Sequence, residues 1–399
     1  MRVFIIGQGY VGLSIAAAAA SAGHRVVGFD INKELIQRLS KSMSHIEGIS
    51  DEKLLELNGS DKLFFSNDPS LMADSEVIII AVPTPLDSNR QPDLTFVHNA
   101  VNLIIENAAS SALIVNESTS FPGTLRDEIA ARIASKSDTA HDFASAPERV
   151  DPGNPSFNVK NTPRVVSGLT DKASASVTDF YSSFCDYVTV VSSPEVAETA
   201  KLLENTFRQV NIALVNQMAL ITEKLGISIH DVIEAAATKP FGYMKFTPGL
   251  GVGGHCIPVD PTYLLHAAKK AGVPATFIEL ANQVNEDMGQ KVISIVESRI
   301  GGSLNGKSVC VVGITYKSDV ADLRESPSVN LITQLRSKGS IVKWHDNLVK
   351  IWNGEESSDV ASDDIVIVAV AHSDLDRQKL LSAKYVFDCT GKLSEFDTF

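Results

Sequence analysis

Short apolar stretches alternate with amphipathic stretches along the first half of the chain. Several apolar stretches are continuously hydrophobic, as expected for parallel strands buried on both faces. Strands are predicted at residues 2–6, 25–29, 77–82, 112–116, 142–145, 164–167 and 187–191. Helices are predicted between them, for example at residues 13–22, 33–42, 94–107 and 123–135. This alternation predicts a doubly wound α/β sheet.

The pattern changes after Pro194, where the strand signal stops until about residue 307. Positions at helical spacing are Leu202, Leu203, Thr206, Val210, Ala213, Leu214 and Gln217. A second helix is predicted at residues 274–300, and the following Gly-Gly-Ser is typical of a linker. Strands resume at residues 307–313, 341–345, 365–370 and 385–388. We therefore predict two Rossmann-like α/β domains, residues 1–193 and 301–399, joined by a helical region, residues 194–300.

A GxGxxG motif directly follows the first predicted strand and opens a helix of small residues. Gly7 permits a tight turn, Gly9 lets a pyrophosphate approach the backbone, and Gly12 lets helix and strand pack closely. Tyr10 and Val11 would place their amides at the helix N-terminus, where phosphates bind. A close-packed turn without a ligand would explain the glycines equally well.

Asp30 ends the second predicted strand, where a carboxylate can bond the 2′-hydroxyl of a ribose and repel a 2′-phosphate. A ligand-free turn does not explain this acid. The motif and Asp30 together therefore predict NAD rather than NADP as the cofactor.

Charge and cysteine content exclude several other classes of function. The chain has 35 basic and 48 acidic residues, a net charge of −13, which argues against nucleic acid or an anionic membrane as the main partner. Its four cysteines form no CxxC pair, so the sequence suggests no metal site and no disulfide framework. Apolar runs are far shorter than a membrane span. We expect a cytoplasmic protein.

A glycine-rich segment at residues 249–261 contains the most informative cysteine. Its glycines are Gly249, Gly251, Gly253 and Gly254. Glycines let a loop backbone approach a ligand closely. Cys256 follows them, and Asp260 lies four residues further on. Most single cysteines are buried and inert, but this setting favours a nucleophile.

The whole pattern resembles the UDP-glucose/GDP-mannose dehydrogenase family, the NAD-dependent nucleotide-sugar 6-dehydrogenases. The resemblance spans almost the entire chain and includes the two motifs above. The other matching segments are 82–85 (VPTP), 117–119 (EST), 147–153 (PERVDPG), 198–211 (ETAKLLENTFRQVN) and 313–327 (GITYKSDVADLRESP). It implies an NAD-binding domain and a nucleotide-sugar-binding domain that flank a long central helix, and a homodimer or higher homo-oligomer with a dimer interface built by that helix.

The resemblance also implies a reaction, in which C6 of a UDP-sugar is oxidised to a carboxylate and two NAD⁺ molecules are reduced. Cys256 matches the nucleophile, which forms a thiohemiacetal and then a thioester that water hydrolyses. Lys201 and Asn205 match oxyanion-stabilising residues four apart on the central helix. Asp260 matches the carboxylate that handles the alcohol proton with Lys201. The alternative for Lys201 and Asn205 is a solvated surface pair.

Further roles are implied by the same matches. Glu148 matches the general base for thioester hydrolysis, and Thr119 the threonine that holds a water beside the nicotinamide. Pro83, Thr84 and Arg324 match further NAD contacts. An ordinary loop carboxylate, a helix-capping hydroxyl and a loop salt bridge to Asp319 or Asp322 are the respective alternatives for Glu148, Thr119 and Arg324.

Substrate contacts are implied for residues of several segments. They are Glu148, Arg149, Lys201, Asn205, Lys239, Gly251, Gly253, Gly254 and Lys317. Lys317 resembles a pyrophosphate or sugar contact. Lys239 is the nearest match to a basic residue that reaches into the partner subunit's site.

Two departures bear on the sugar. Val259 stands before Asp260 where many UDP-glucose enzymes have lysine, and His255 replaces the commoner serine. This version resembles the subgroup acting on UDP-N-acetylhexosamines, and residues 239–242 favour UDP-N-acetylglucosamine over UDP-N-acetylmannosamine; UDP-glucose is a further alternative. A single-step dehydrogenase of the β-hydroxyacid type and a non-catalytic nucleotide-sugar or NAD sensor are the rival classes.

Overall fold

The computed structural model describes residues 1–46, 48–151, 154, 156–362 and 364–399. Pro152 and Gly153, which belong to one of the matching segments, lie outside the described residues. The chain divides into two compact units. The first comprises Met1–Glu204 and Thr262–Gly272, and the second Asn205–Pro261 and Val273–Phe399.

The first unit contains an eight-stranded sheet with the order β3-β2-β1-β4-β5-β6-β7-β8. The strands are β1 (Arg2–Ile6), β2 (Arg25–Phe29), β3 (Leu63–Ser66), β4 (Val77–Ile80), β5 (Leu113–Asn116), β6 (Asp142–Ser145), β7 (Arg164–Gly168) and β8 (Val188–Val190). The doubly wound prediction is confirmed, and the chain order reverses between β1 and β4, beside which such sheets bind their ligands.

Two features of this sheet differ from the prediction. Strands β6 and β7 pair antiparallel, whereas every other neighbouring pair is parallel. A parallel pair needs a crossover, usually a helix, and the described residues between β6 and β7 contain no helix. The edge strand β3 was not predicted, because it is only four residues long and exposes Phe64 between buried neighbours.

Helices cover the first sheet and lead into the second unit. They are α1 (Tyr10–Ser21), α2 (Lys33–Ser40), α3 (Asp51–Gly59), α4 (Thr95–Asn107), α5 (Ala131–Ala134), α6 (Asp171–Ser182) and α7 (Pro194–Leu225). Helix α1 begins inside the glycine motif, three residues before the predicted start, because Gly9 is its N-cap. The helix predicted at residues 123–135 consists of a π-helical stretch, Thr124–Ala130, followed by α5.

The second unit contains a five-stranded parallel sheet with the order β10-β9-β13-β14-β15. Its elements are helices α8 (Ile229–Ala237), α9 (Asp260–Lys270, which continues into the first unit), α10 (Thr276–Arg299), α11 (Pro327–Ser337) and α12 (Arg377–Leu381), and strands β9 (Ser308–Val312), β10 (Ile341–His345), β11 (Ile351–Trp352), β12 (Glu355–Glu356), β13 (Ile365–Val368), β14 (Tyr385–Asp388) and β15 (Asp397–Thr398). Its core packs buried Trp344 and Phe387 with apolar residues of α10 and α11. Within the described part of the chain, no helix is long and apolar enough to cross a membrane.

Helix α7 has the reverse of the usual amphipathic pattern. It exposes Leu203, Phe207, Leu214 and Ile221 by 62%, 48%, 58% and 46%. At about 100° per residue these four lie within about 40° of one another. The opposite face is polar and buried, and carries Glu198, Lys201, Asn205, Gln209 and Asn216. Buried polar groups need hydrogen-bond partners, so this buried polar face of α7 constrains whatever packs on it.

Candidate active site

The glycine motif of the first unit forms a tight turn between β1 and α1. Gly7 has a φ of +92°, and its amide donates to the carbonyl of Phe29 over 2.8 Å. A Cβ on Gly12 would lie 1.9 Å from the carbonyl oxygen of Gly7, so only glycine fits there. A Cβ on Gly9 would meet nothing within 4 Å. The turn is therefore closed toward the protein and open at Gly9.

Asp30 is held against this turn. Its Oδ2 accepts from the amide of Gln8 over 2.8 Å, and its Oδ1 accepts from the amide of Asn32 over 2.9 Å. Each carboxylate oxygen can accept a further hydrogen bond. The open glycine, the N-terminus of α1 carrying Tyr10 and Val11, and this fixed carboxylate fit the phosphates and ribose of NAD.

Two loops of the first unit, joined by hydrogen bonds, carry three of the predicted cofactor-binding residues. The Oγ of Ser118 accepts from the amide of Val82 over 2.9 Å and donates to the carbonyl of the same residue over 2.8 Å. The loop with exposed Pro83 and buried Thr84 is thereby tied to the residue before half-buried Thr119. The structure brings these three predicted residues together beyond the carboxyl ends of β4 and β5.

Glu198 fastens the segment after Thr119 to helix α7. Its Oε2 accepts from the amide of Gly123 over 2.7 Å, and its Oε1 accepts from the amide of Leu125 over 2.9 Å. Burial raises the pKa of Glu198 to about 7 although both amides oppose the shift. Lys201, a predicted catalytic residue, is buried three residues further along the same helix. Sequence reasoning assigned no role to Glu198.

Glu148 is buried and accepts hydrogen bonds from three donors. Its Oε1 accepts from the amides of Arg149 and Val150, and its Oε2 lies 3.2 Å from Nη2 of Arg164. Burial alone would raise the pKa of Glu148, but Arg164, the amides and the charge of Lys201 hold it below its ordinary value. The carboxyl group is therefore ionised at neutral pH, as a general base must be.

A second buried carboxyl group shares Arg164. Nη1 of Arg164 lies 2.8 Å from Oε2 of Glu117, and the hydroxyl of Tyr181 donates to Oε1 of Glu117. Burial raises the pKa of Glu117 to about 7, against the charge of Arg164. Sequence reasoning missed Arg164 and Tyr181. The available signal was an arginine that opens an otherwise apolar strand predicted to be buried on both faces.

Arg149 is engaged in an ion pair in this structure. Its Nη2 lies 2.6 Å from Oε1 of Glu204, and its Nη1 donates to the carbonyl of Pro163 over 2.7 Å. Its predicted contact with substrate stays a prediction, since this guanidinium already has partners within the first unit.

The second unit brings together three predicted catalytic residues. Nδ2 of Asn205 donates to Oδ2 of Asp260 over 2.6 Å, and both side chains are buried. The amide of Asp260 donates to the carbonyl of Cys256 over 2.8 Å, in the turn that opens α9. Cys256 itself is half-buried. Backbone and side-chain bonds therefore place an amide and a carboxyl group at the cysteine's own turn.

The glycines before Cys256 are required by packing. A Cβ on Gly251, whose φ is +120°, would lie 2.4 Å from the carbonyl oxygen of Asn285. A Cβ on Gly253 would lie 2.7 Å from Cβ of Tyr316, and one on Gly254 would lie 2.9 Å from the ring of Tyr316. These three glycines thus let the loop lie against α10 and the segment after β9. Their predicted contact with a ligand stays a prediction.

Two polar side chains of α7 and α10 support the start of that loop. Oδ1 of Asn216 accepts from the amide of Gly249 over 2.9 Å, and its Nδ2 donates to Oδ1 of Asn285 over 3.0 Å. Nδ2 of Asn285 in turn donates to the carbonyl of Gln209 over 3.1 Å. The cysteine loop is therefore anchored to the buried polar face of α7.

The remaining predicted residues lie in other loops of the second unit. Nη2 of Arg324 lies 2.6 Å from Oδ2 of Asp322, which is the loop salt bridge considered above, and its carbonyl accepts from the amide of Gly254 over 2.9 Å. Lys317 is half-buried, and its carbonyl accepts from the hydroxyl of Thr315. Lys239 places its Nζ 4.9 Å from the centroid of the Phe241 ring.

The second unit also repeats part of the dinucleotide turn, although no GxGxxG motif follows β9. Gly313 has a φ of +79°, and its amide donates to the carbonyl of His345 over 2.8 Å. Oδ2 of Asp346 accepts from the amide of Ile314 over 2.8 Å, as Asp30 does in the first unit. Asp346, however, is buried and also lies 3.2 Å from Nε2 of His372.

Sequence models of the UDP-glucose/GDP-mannose dehydrogenase family match three consecutive parts of the chain. The NAD binding domain matches residues 1–185. The central domain matches residues 195–287, and the UDP binding domain matches residues 310–395. The NAD binding match agrees with the glycine turn and Asp30.

Individual proteins match over similar lengths. The chain is 33% identical over 380 residues to a UDP-N-acetyl-D-mannosamine dehydrogenase of Pyrococcus horikoshii, covering 93% of this chain and 90% of that protein. It is 33% identical over 392 residues to a UDP-N-acetyl-D-glucosamine 6-dehydrogenase of Pseudomonas aeruginosa, covering 94% and 91%. A solved structure of a UDP-D-ManNAc dehydrogenase from Pyrococcus horikoshii has a TM-score of 0.91 at 31% identity, covering 100% and 99%.

Gly9 and Gly12 of the first turn should respond differently to substitution by alanine. Gly12→Ala places a methyl group 1.9 Å from a backbone oxygen. We expect this overpacking to lower the free energy of unfolding by about 1–3 kcal/mol, and the melting temperature with it. Gly9→Ala meets no protein atom and should melt like the wild type, but bind NAD more weakly by calorimetry because the new methyl lies on the open side. Unchanged NAD affinity in Gly9→Ala would show that the cofactor does not approach there.

Glu117 should make stability depend on pH. The folded protein retains a proton on Glu117 up to about pH 7, whereas an unfolded chain releases it near pH 4.5, so this stabilisation is present below pH 4.5 and is lost as pH rises through 7. Glu117→Gln keeps the shape without ionising. Its free energy of unfolding relative to the wild type should therefore rise by up to about 3 kcal/mol between pH 4.5 and 8, measured by denaturant titration. Glu56→Gln, at an exposed carboxylate, is the control; an equal pH-independent offset in both variants contradicts the assignment.

Proposed function

Since the chain belongs to the UDP-glucose/GDP-mannose dehydrogenase family of NAD-dependent enzymes, we propose that it oxidises C6 of a UDP-N-acetylhexosamine from alcohol to carboxylate. The observation that carries the proposal is the cluster of Cys256, Asn205 and Asp260 at one turn. Two relatives that act, by name, on UDP-N-acetylhexosamines match more than nine-tenths of the chain and support the substrate class.

The oxidation takes four electrons, so two hydrides must leave the sugar. NAD⁺, when bound at the glycine turn and Asp30, supplies the hydride acceptor. An aldehyde carbon carries no alkoxide from which a hydride can be expelled. Attack by the Cys256 thiolate forms a C–S bond and a thiohemiacetal, which has that alkoxide. The second oxidation leaves a thioester on Cys256.

Oxyanions arise at both the alkoxide and the thiohemiacetal. We assign their stabilisation to the ammonium of Lys201 and the amide of Asn205. The bond to Asp260 fixes the orientation of that amide, because it uses one of its two N–H groups and aims the other. Asp260, with Lys201 and a water held by Thr119, takes the alcohol proton.

Hydrolysis completes the reaction. We assign Glu148 as the general base: it accepts a proton from water, the water oxygen bonds to the thioester carbon, and the C–S bond breaks to release the Cys256 thiolate. Its depressed pKa keeps it ionised for this step.

Contacts to the nucleotide sugar are assigned to the basic residues and glycines of the loops. Lys317, Lys239 and Arg149 supply positive charge for the pyrophosphate or sugar, and Arg324 for the NAD phosphates. Arg149 and Arg324 pair with Glu204 and Asp322, so contact with a phosphate requires each to share or exchange its carboxylate. Gly251, Gly253 and Gly254 supply close backbone approach.

Within the substrate class we propose UDP-N-acetylglucosamine, on the resemblance of residues 239–242. UDP-N-acetylmannosamine is the second candidate, because the solved structure that superposes with a TM-score of 0.91 is of a UDP-D-ManNAc dehydrogenase. The two sugars differ only in configuration at C2, so a direct comparison of rates decides between them.

The first measurement is NADH formed per sugar consumed with UDP-N-acetylglucosamine, UDP-N-acetylmannosamine, UDP-glucose and GDP-mannose. We expect two NADH per UDP-N-acetylglucosamine, and loss of turnover by a factor of at least about 1000 in Cys256→Ala. Cys310→Ala, at a buried cysteine of β9, is the matched control and should retain activity. Two NADH from another sugar would replace the substrate, one per sugar would overturn the thioester route, and none with any would favour a sensor.

We also propose a homodimer formed through the exposed apolar face of α7, defined by Leu203, Phe207, Leu214 and Ile221. Four aligned apolar side chains, each about half exposed, form a stripe suited to a second copy of the same helix. Leu214→Glu should yield a monomer in analytical ultracentrifugation. Phe96→Glu, a similar change on α4, should not alter the mass, and a wild type that sediments as a monomer contradicts the proposal.

A further inference from the structure

Arg164 lies at the start of β7 with a side chain that is only 3% exposed. Its guanidinium group bridges two carboxyl groups, with Nη1 2.8 Å from Glu117 and Nη2 3.2 Å from Glu148. A guanidinium group is planar and presents its N–H groups in a fixed fork. The position of one carboxyl group is therefore linked rigidly to that of the other.

The Glu117 side of this bridge is immobilised by the fold. The hydroxyl of Tyr181 donates to Oε1 of Glu117, and the guanidinium carbon of Arg164 lies 4.9 Å from the centroid of the Tyr181 ring. Nη1 of Arg164 also donates to the carbonyl of Ala146. Arg164 is thus held by α6 and by the segments after β5 and β6, independently of Glu148.

On the Glu148 side, one carboxylate oxygen can still accept a further hydrogen bond. Oε1 accepts two backbone amides, which use both of its acceptor positions. Oε2 accepts from Arg164 and keeps one further position. Arg164 therefore decides where that remaining lone pair points.

We infer that Arg164 is a positioning residue that holds Glu148 in the orientation needed to accept a proton from water during thioester hydrolysis. The inference rests on the proposed function, because it presumes that Glu148 is the base for this step. Arg164 contacts Glu117, Glu148, the carbonyl of Ala146 and the Tyr181 ring. None of these groups other than Glu148 is assigned a step of the reaction, so loss of Arg164 should slow hydrolysis selectively.

The charges around Glu148 support the positioning role of Arg164. Arg164 carries one positive charge for two carboxyl groups, and the pKa of Glu117, about 7, leaves Glu117 largely protonated below neutrality. Below neutral pH the positive charge of Arg164 is therefore balanced mainly by the negative charge of Glu148. Lys201 adds positive charge from α7, while Cys185, after α6, faces Arg164. A lysine in place of Arg164 keeps the charge but cannot span both carboxyl groups.

The test uses Arg164→Lys with saturating NAD⁺ and the sugar that the wild type turns over. Rapid mixing should show a burst of two NADH per active site, followed by steady turnover about 10–100-fold slower than in the wild type. Intact mass spectrometry of quenched samples should show an acyl adduct on Cys256 that hydroxylamine removes. Glu148→Gln should give the same burst and adduct.

A double-mutant cycle separates positioning from general damage. If Arg164 acts through Glu148, the double variant Arg164→Lys/Glu148→Gln should turn over within about 3-fold of Glu148→Gln alone. Lys343→Met is the matched control, since it breaks a pair with buried Asp364 in the other unit. It should give no adduct. If Arg164→Lys folds poorly, the same substitution in Glu117→Gln leaves one ammonium for one carboxylate and is measured instead.

Other outcomes overturn the inference. Slow turnover without a burst or adduct would place the effect of Arg164 before hydrolysis, and multiplicative losses in the cycle would make it a general structural residue. Wild-type rates in Arg164→Lys would remove any role. Failure of the proposed function looks different, because the wild type itself would then form no NADH or only one per sugar.

Discussion

Helix α7 buries a row of polar side chains, and a buried polar group without a partner costs several kcal/mol. Three members of the row obtain partners from segments that carry residues of the proposed active site. Glu198 accepts the amides after the Thr119 loop, Asn205 donates to Asp260, and Asn216 accepts the first amide of the cysteine loop. Satisfying one helix therefore orders several loops at once. Because the polar side is a buried side, Leu203, Phe207, Leu214 and Ile221 of α7 are left on the surface, where they are available to a second copy.

Two buried carboxyl groups of the first unit share the positive charge of one arginine. Arg164 is shared by Glu117 and Glu148, and burial makes it energetically unfavourable for both carboxyl groups to be ionised at once. Burial raises the pKa of Glu117 to about 7 against the opposing hydrogen bond from Tyr181, whereas Arg164 and two backbone amides hold the pKa of Glu148 below its ordinary value. The two environments therefore shift the pKa values of two like groups in opposite directions.

Glycines serve different purposes at the two motifs. In the first turn, Gly7 and Gly12 are needed for packing, and Gly9 faces open space. In the cysteine loop, Gly251, Gly253 and Gly254 all face protein atoms, so their absent side chains create room for neighbouring segments. The prediction that glycine marks an approach to ligand is compatible with the open space at Gly9, while the cysteine-loop glycines satisfy a packing constraint. A glycine motif indicates that side chains are excluded at its positions. The neighbouring atoms in the structure show what excludes them.

Local signals in the sequence determined the order of strands and helices, the long central helix and the dinucleotide turn, because periodicity and glycine placement act over a few residues. Positions where distant segments meet were decided by tertiary structure. The antiparallel β6–β7 pair, the partner of Arg164 across two strands, and the buried side of α7 all depend on contacts between residues far apart in the chain. Arg164 could be read only as a charged residue opening an apolar strand; its place between two carboxyl groups exists because β5, α6 and β7 pack together.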